Sequence, residues 1–361
     1  MLEVKDVPGL LRYADEVIGT LRHPNGLFCF DRSIDSPELR GQSVRYSIIV
    51  LLGLLRGIGS GVESRTDVDG LLRVIQSRRS DLGVGDLGLL LWAEARKGSA
   101  GAEETVARLG ERSAVHEHLD SLEGMEAAWF VIGTVHAAAA GLDVDALVDL
   151  SVSHLQTRRS PESALFRHTA VGRGRAMLPN FATEIYSLLA LSEMAQHSID
   201  ADSLAHAREL ADTLIGLRQP NGGWPWLFHA DRSVVAEPYE VYSVHQDSMA
   251  PMALFALTEV SGDDRYAAAA VESFRWCFGE NELGFRFYDD ANLFAHRSIR
   301  RSGSSQRLDL AINAALATLG LDHRLDAGGL AIETTCRPYH LGWILEAWSG
   351  REHMIELLGA S

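Results

Sequence analysis

Apolar residues recur along the chain every three to four positions, the spacing of helices, and seldom alternate as they do in strands. Two kinds of segment take turns. Residues 3–20, 64–78, 103–119, 143–158, 202–218 and 263–277 carry one apolar stripe and a charged face. Interleaved with them, residues 43–55, 85–95, 125–140, 180–195, 247–260, 308–319 and 338–348 are apolar on most sides. A helix that is apolar all round must be buried, and an amphipathic one covers it from outside. The alternation predicts helical hairpins packed side by side, an outer helix followed by an inner one. Six or seven hairpins close into an all-α, (α/α)6-type toroid, a single domain over residues 1–361; an open superhelix of helix pairs is the alternative. The first hairpins follow one another with short loops. The later ones carry long, aromatic-rich insertions, which suits a closed ring with long loops over one end.

One phrase occurs twice. Residues 21–33 read LRHPNGLFCFDRS and residues 217–233 read LRQPNGGWPWLFHADRS. LFCFDRS begins at residue 27 and LFHADRS at residue 227, and SVRY (43–46) and SVHQ (243–246) keep that offset. Shorter echoes are LFRH at 165–168 and LFAH at 293–296. Asn-Gly suits a turn with positive φ, so PNG ends an outer helix. An extended LF segment then crosses the mouth of the ring, and the inner helix begins.

The chain is 46% hydrophobic, enough for a large core, and no apolar run reaches the roughly 20 residues that cross a bilayer, so no membrane insertion is expected. Its N-terminus is acidic and amphipathic, unlike a signal peptide, which makes the cytoplasm the expected compartment. A formal net charge of −16, from 49 acidic and 33 basic residues, argues against nucleic acid and anionic membrane as partners. The two cationic islands, HRSIRR (296–301) and FRHTAVGRGR (166–175), read as solvated loops. Three cysteines form no CxxC pair, and there is no H-E-x-x-H, G-x-x-x-x-G-K-[ST] or G-x-G-x-x-G. Neither a metal nor a cofactor is expected from these spacings.

Candidate chemistry follows from the architecture. In a toroid the first turns of the inner helices line one cavity, and here they carry Arg45, Tyr46, Asp86, Glu126, Glu184, Tyr186, His245, Gln246, Asp247, Arg307, Asp309, Tyr339 and His340. Asp86, Glu126 and Asp309 read as capping residues that satisfy free first-turn N–H groups. The second copy of the repeated phrase has His245, Gln246 and Asp247 where the first has Arg45, Tyr46 and Ser47, and adds Trp224 and Trp226. Histidines in such positions, His245 and His340, are candidates for a proton donor and acceptor pair near neutral pH, with Tyr242 and Asp247 assisting. Glu184, Glu240, Asp247 and Asp290 supply carboxylates for the alternative, glycoside hydrolysis by a carboxylate pair. Trp224, Trp226 and Trp343 are flat apolar surfaces suited to a sugar face, an isoprenoid methyl or simple packing. Arg45 and Arg307 are candidates for holding a carboxylate or phosphate.

Two resemblances bear on this. QPNGGWPW (219–226) resembles the Q-x-x-x-G-x-W motif of terpene cyclases and related prenyl-processing toroids, one residue shorter and without their D-x-D-D motif. RPYHLGWILEAW (337–348), SVHQDSMAPMALFAL (243–257) and SVRYSII (43–49) are similar to segments of the six-hairpin carbohydrate enzymes, the N-acylglucosamine 2-epimerase family among them. The latter resemblance implies His245 and His340 as an acid/base pair, with Arg45 binding substrate oxygens. Tyr46, Glu240, Tyr339 and Trp343 are further candidates for contacts with a small-molecule or oligosaccharide substrate. The leading expectation is an enzyme acting on a saccharide by epimerisation, elimination or hydrolysis. An isoprenoid cyclase or prenyl-processing toroid and a non-catalytic helical scaffold are the alternatives. A buried Asp cluster in an apolar cavity would mark the cyclase, and a polar cavity with paired histidines the saccharide enzyme.

Overall fold

The computed structural model describes residues 2–171, 175–302, 306–321 and 329–358, and of 306–310 the backbone only. Its helices are α1 (Val7–Gly19), α2 (Val44–Gly59), α3 (Val68–Gln76), α4 (Val84–Lys97), α5 (Ala102–Ser113), α6 (His116–Asp120) and α7 (Gly124–Ala139), followed by α8 (Asp145–Gln156), α9 (Phe181–Gln196), α10 (Ser203–Gly216), α11 (Ala250–Ser261), α12 (Asp264–Phe274), α13 (Gln306–Leu319) and α14 (Pro338–Trp348). α2 packs on α4, α4 on α7, α7 on α9, α9 on α11, α11 on α14, and α14 returns to α2. The inner wall is therefore a closed ring of six helices. α1, α3, α5, α8, α10 and α12 form the outer wall. The difference in patterning is visible in what each buries: α3 only Leu71, Leu72 and Ile75, but α7 every residue from Ala127 to Val135.

Close approach between inner helices depends on glycine. A Cβ on Gly53 of α2 would stand 2.0 Å from the carbonyl oxygen of Gly342 in α14, and one on Gly133 of α7 would stand 2.2 Å from that of Gly88 in α4. Among the described residues no helix is long and apolar enough to cross a membrane.

The stretch 308–319, expected as a seventh inner helix, lies outside the ring. α13 instead covers a β-hairpin formed by Leu227–His229 and Val234–Glu237. Ala317 packs with Leu227 and Ala236, and Asn313 donates to the buried carboxylate of Glu237 at 2.7 Å, which Arg301 also holds. Apolar periodicity reports that a helix has a buried face, and says nothing of whether a helix or a sheet covers it.

Short antiparallel strands cover the end where the inner helices begin. Leu39–Arg40, Asp31–Ser33 and Thr335–Cys336 form one sheet, which ties the first loop to the last. Val241–Tyr242, Ser298–Arg301 and Leu330–Glu333 form another. The repeated phrase is anchored at PNG rather than at LF. His23 and Gln219 close equivalent turns onto Leu27 and Gly223, with Gly26 at φ 92° and Gly222 at φ 85°. Asn25 and Asn221 each accept the backbone N–H two residues on. Phe28 is thereby matched by Trp224, and the LF of residues 227–228 falls later, pairing with Asn180 at the start of α9. LFAH likewise lies in a later strand, Phe294–Ala295, whereas Phe166 of LFRH does occupy the Phe28 position.

Candidate functional site

The mouth of the ring holds a buried carboxylate, Asp247, positioned by the start of α11. Residues His245–Met249 form a π-helical turn ahead of Pro251. A proline has no N–H to give to the carbonyl four residues back, here that of Asp247. That carbonyl accepts the indole N–H of Trp348, from α14, at 2.6 Å. The side chain is fixed as firmly. His340 Nε2 lies 2.9 and 2.7 Å from its two oxygens, the Tyr288 hydroxyl donates at 2.7 Å, and the Cys277 thiol lies at 3.6 Å. Burial first, and then Asp247, push the Tyr288 phenol and the Cys277 thiol well up, so both remain protonated donors. A carboxylate facing Nε2 places the imidazole proton on that nitrogen and leaves Nδ1 basic.

His340 lines a narrow pocket with Ser243, Val244, Ala295, Arg297, Arg337 and Tyr339. The two arginines are held by aromatic rings rather than by carboxylates. Arg297 lies 4.9 Å over Tyr242, and Arg337 lies 4.3 Å over Phe30 and donates to the Tyr46 hydroxyl at 2.7 Å. Neither makes an ion pair among the described residues, and the Nε of each is buried without a hydrogen-bond partner. Tyr46 and Tyr339 lie against one another with centroids 4.6 Å apart.

His245 stands beside this pocket in an aromatic box. Phe181, Tyr242 and Trp226 approach its ring at 4.6, 5.0 and 6.2 Å, the last nearly parallel. Burial, with Arg297 and His340 nearby, pushes its imidazole down to about 3, so it is neutral at physiological pH, and its Nδ1 has no hydrogen-bond partner among the described residues. Burial and then Glu240 push the Tyr242 phenol up.

Arg45, expected to hold a substrate anion, is already neutralised. Its guanidinium bonds Asp86 at 2.5 Å and Glu126 at 2.5 Å. Glu126 also caps α7 by accepting from Glu123 N, so it does what was expected of it and more. Asp86 makes no capping bond and serves the ion pair instead. Both carboxylates keep part of their surface open to the mouth.

Other expected residues are placed elsewhere. Glu184 is fully buried and accepts the Phe166 N–H at 3.2 and 3.1 Å, the position in which Ser47 takes Phe28 and Gln246 takes Trp224. Each of these side chains secures a loop that crosses the mouth. Trp224 is a plug, packed on Phe181 and capped by Arg218. Trp343 is buried deeper in the ring between Trp92 and Tyr186. Glu240 accepts from Ser298 at 2.9 Å, and Asp290 binds the backbone of Leu2. The side chains of Arg307 and Asp309 lie outside the described residues. Arg297, Arg337, Tyr288 and Cys277 were not anticipated. The first two sat in the HRSIRR island and the RPYH segment, where the only signal was a cation next to aromatic residues.

No protein-family model and no curated protein matches this sequence. Solved structures do. A sugar epimerase from a ruminal bacterium aligns at TM-score 0.65 and 11% identity, covering 97% of this chain and 99% of that one. The cellobiose 2-epimerase of Bacillus thermoamylovorans aligns at 0.64 and 8%, over 96% and 99%. An unsaturated glucuronyl hydrolase specific for heparin aligns at 0.62 and 12%, over 98% and 96%. The chain has the (α/α)6 toroid fold that these proteins share.

Proposed function

We propose that this chain is an enzyme acting on an anionic saccharide at the mouth of the ring, with His340 as the proton-transferring group. The observation that carries this is the His340–Asp247 pair opening onto a pocket with two arginines that make no ion pair among the described residues. Arg297 and Arg337 hold the carboxylate or phosphate of the substrate, the role first expected of Arg45 and Arg307. Trp226 offers its face to the sugar ring, and Tyr46 and Tyr339 close the side of the pocket. His340 Nδ1 takes a proton from the substrate, while Asp247 holds the ring in the correct tautomer and stabilises the imidazolium that results. Tyr242, held protonated, and neutral His245 stand where a proton is returned or a hydroxyl oriented. For a sugar acid this constellation suits proton removal beside the carboxylate, a step common to epimerisation and elimination. The likeness to a sugar epimerase and a glucuronyl hydrolase supports the substrate class. A polar mouth with two histidines favours this reading over an isoprenoid cyclase, and the closed ring speaks against an open-superhelix scaffold.

The test is a thermal-shift panel of uronates, amino sugars, neutral disaccharides and prenyl diphosphates on wild type, Arg337→Ala and His340→Gln. A uronate at about a hundredfold excess over its Kd should raise Tm by about 3–4 °C, with the rise lost in Arg337→Ala. His340→Gln should bind but not turn the ligand over. A shift with prenyl diphosphates alone would overturn the reading. A second reading rests on Asp86 and Glu126, two partly open carboxylates in adjacent first turns, which suit hydrolysis. Loss of turnover in Asp86→Asn but not in His340→Gln would favour it.

A further inference from the structure

At the opposite end of the ring the inner helices finish, and their last turns bring together three metal-ligating side chains. His136 is in the last turn of α7, Glu193 is near the end of α9, and His197 follows α9 as its C-cap. Glu193 and His197 are four residues apart, so they stand on one face. Glu193 Oε2 lies 3.3 Å from His136 Nε2 and 3.8 Å from His197 Nε2, and one donor atom from each of the three residues lies within 4.8 Å of the others.

One carboxylate oxygen faces two imidazoles at once. His136 Nε2 is buried and lies 3.3 Å from Glu193 Oε2, at an angle that falls short of a well-formed N–H···O bond. The two separations from Glu193, 3.3 and 3.8 Å, are near the roughly 3.4 Å between donors bound tetrahedrally at ~2.0–2.2 Å. Among the described residues no arginine takes the carboxylate for itself. Arg96 is held by both oxygens of Glu346, at 2.5 and 2.8 Å, and Arg351 by both oxygens of Glu259. The His136 ring is fixed by stacking on Trp92 at 5.3 Å, and the edge of His197 meets it at 5.8 Å.

We propose that His136, Glu193 and His197 bind one divalent transition-metal ion at the base of the ring. Two imidazoles and one carboxylate select zinc, cobalt or nickel over magnesium and calcium, which prefer oxygen ligands throughout. Three protein ligands leave a further position for water. The ion joins the end of α7 to the end of α9, on the far side of the ring from His340, and acts as a staple between inner helices.

The experiment uses the full chain without a histidine tag, stripped with chelator and titrated with Zn(II) by calorimetry at pH 7.5. One site per chain is expected, with a Tm rise of about 3–4 °C at a hundredfold excess over Kd. His197→Ala removes a partly exposed ligand, so the variant folds, as circular dichroism without metal verifies. It should bind at least tenfold more weakly and lose the Tm rise, as should the isosteric Glu193→Gln. Co(II) or Ni(II) should quench Trp92, and Trp92→Phe should remove that part of the quenching. No saturable binding by wild type, or equal affinity in His197→Ala, would overturn the proposal. So would a loss of Zn(II) affinity in His340→Gln, because that would place the ion at the mouth.

Discussion

Asp247 is held at three levels by residues far apart in sequence: Pro251 frees its carbonyl, Trp348 takes that carbonyl, and His340 and Tyr288 engage its carboxylate. His245, two residues earlier, has the opposite character, a neutral imidazole without a carboxylate partner. Its folded value of about 3 against an ordinary 6.5 fixes the sign of a pH effect. Between those values the unfolded chain binds a proton that the folded chain does not, so stability falls as pH falls. At pH 5 the loss amounts to about 2 kcal/mol relative to pH 7. Urea unfolding of wild type at the two pH values should show this loss, and His245→Gln should lack about that much of it. Equal pH dependence in the two proteins would mean that His245 is not buried as a neutral group. The residues legible beforehand were those in helical first turns, His340, Asp247, His245 and Tyr339, because helix periodicity places them. Arg297, Arg337 and Tyr288 come from loops whose paths are set by strand pairing between distant segments, which periodicity does not report. Glu184 illustrates the converse: a buried acid in a first turn reads as chemistry, and here it holds a backbone N–H.

At the scale of elements, twelve of the thirteen helical segments expected from apolar spacing take their expected wall of the ring. The exception, α13, has an apolar face that meets a hairpin. The π-helical turn was also invisible, although Pro251 next to a buried polar run is its local cause. Contacts between inner helices are set by backbone approach, which makes glycine substitutions informative. Gly133→Ala would drive a Cβ to 2.2 Å from the Gly88 carbonyl, an overpacking that should cost at least about 1–3 kcal/mol. Gly110→Ala, in outer helix α5 with nothing within 4 Å, should instead stabilise by about 0.5–1 kcal/mol. Chemical denaturation of the pair checks both signs. A neutral Gly133→Ala would show that α4 and α7 do not approach so closely.

At the scale of the molecule, closure is what the alternating pattern implied and what α14 accomplishes by returning to α2. Because each inner helix follows an outer one in a hairpin, all six inner helices run in one direction. Each helix carries a macrodipole, about half a positive charge at its start and half a negative one at its end. The six outer helices run the opposite way and cancel most of this sum over the whole protein, so what remains is local: the inner helices present their positive starts at the mouth with Arg297 and Arg337 and their negative ends at the base beside His136, Glu193 and His197. The chain as a whole is strongly anionic, at −16. An approaching anion therefore meets repulsion at long range and attraction at short range. Salt screens exposed, distant charges strongly and buried near ones weakly, over a Debye length of about 30 Å at ~0.01 M and about 8 Å at ~0.15 M. Binding of an anionic sugar should thus tighten as ionic strength rises through that interval, where most charged ligands weaken, and calorimetry at the two salt concentrations reads the sign. The mouth of this ring is attractive to an anion only at distances from which the rest of the molecule has been screened out.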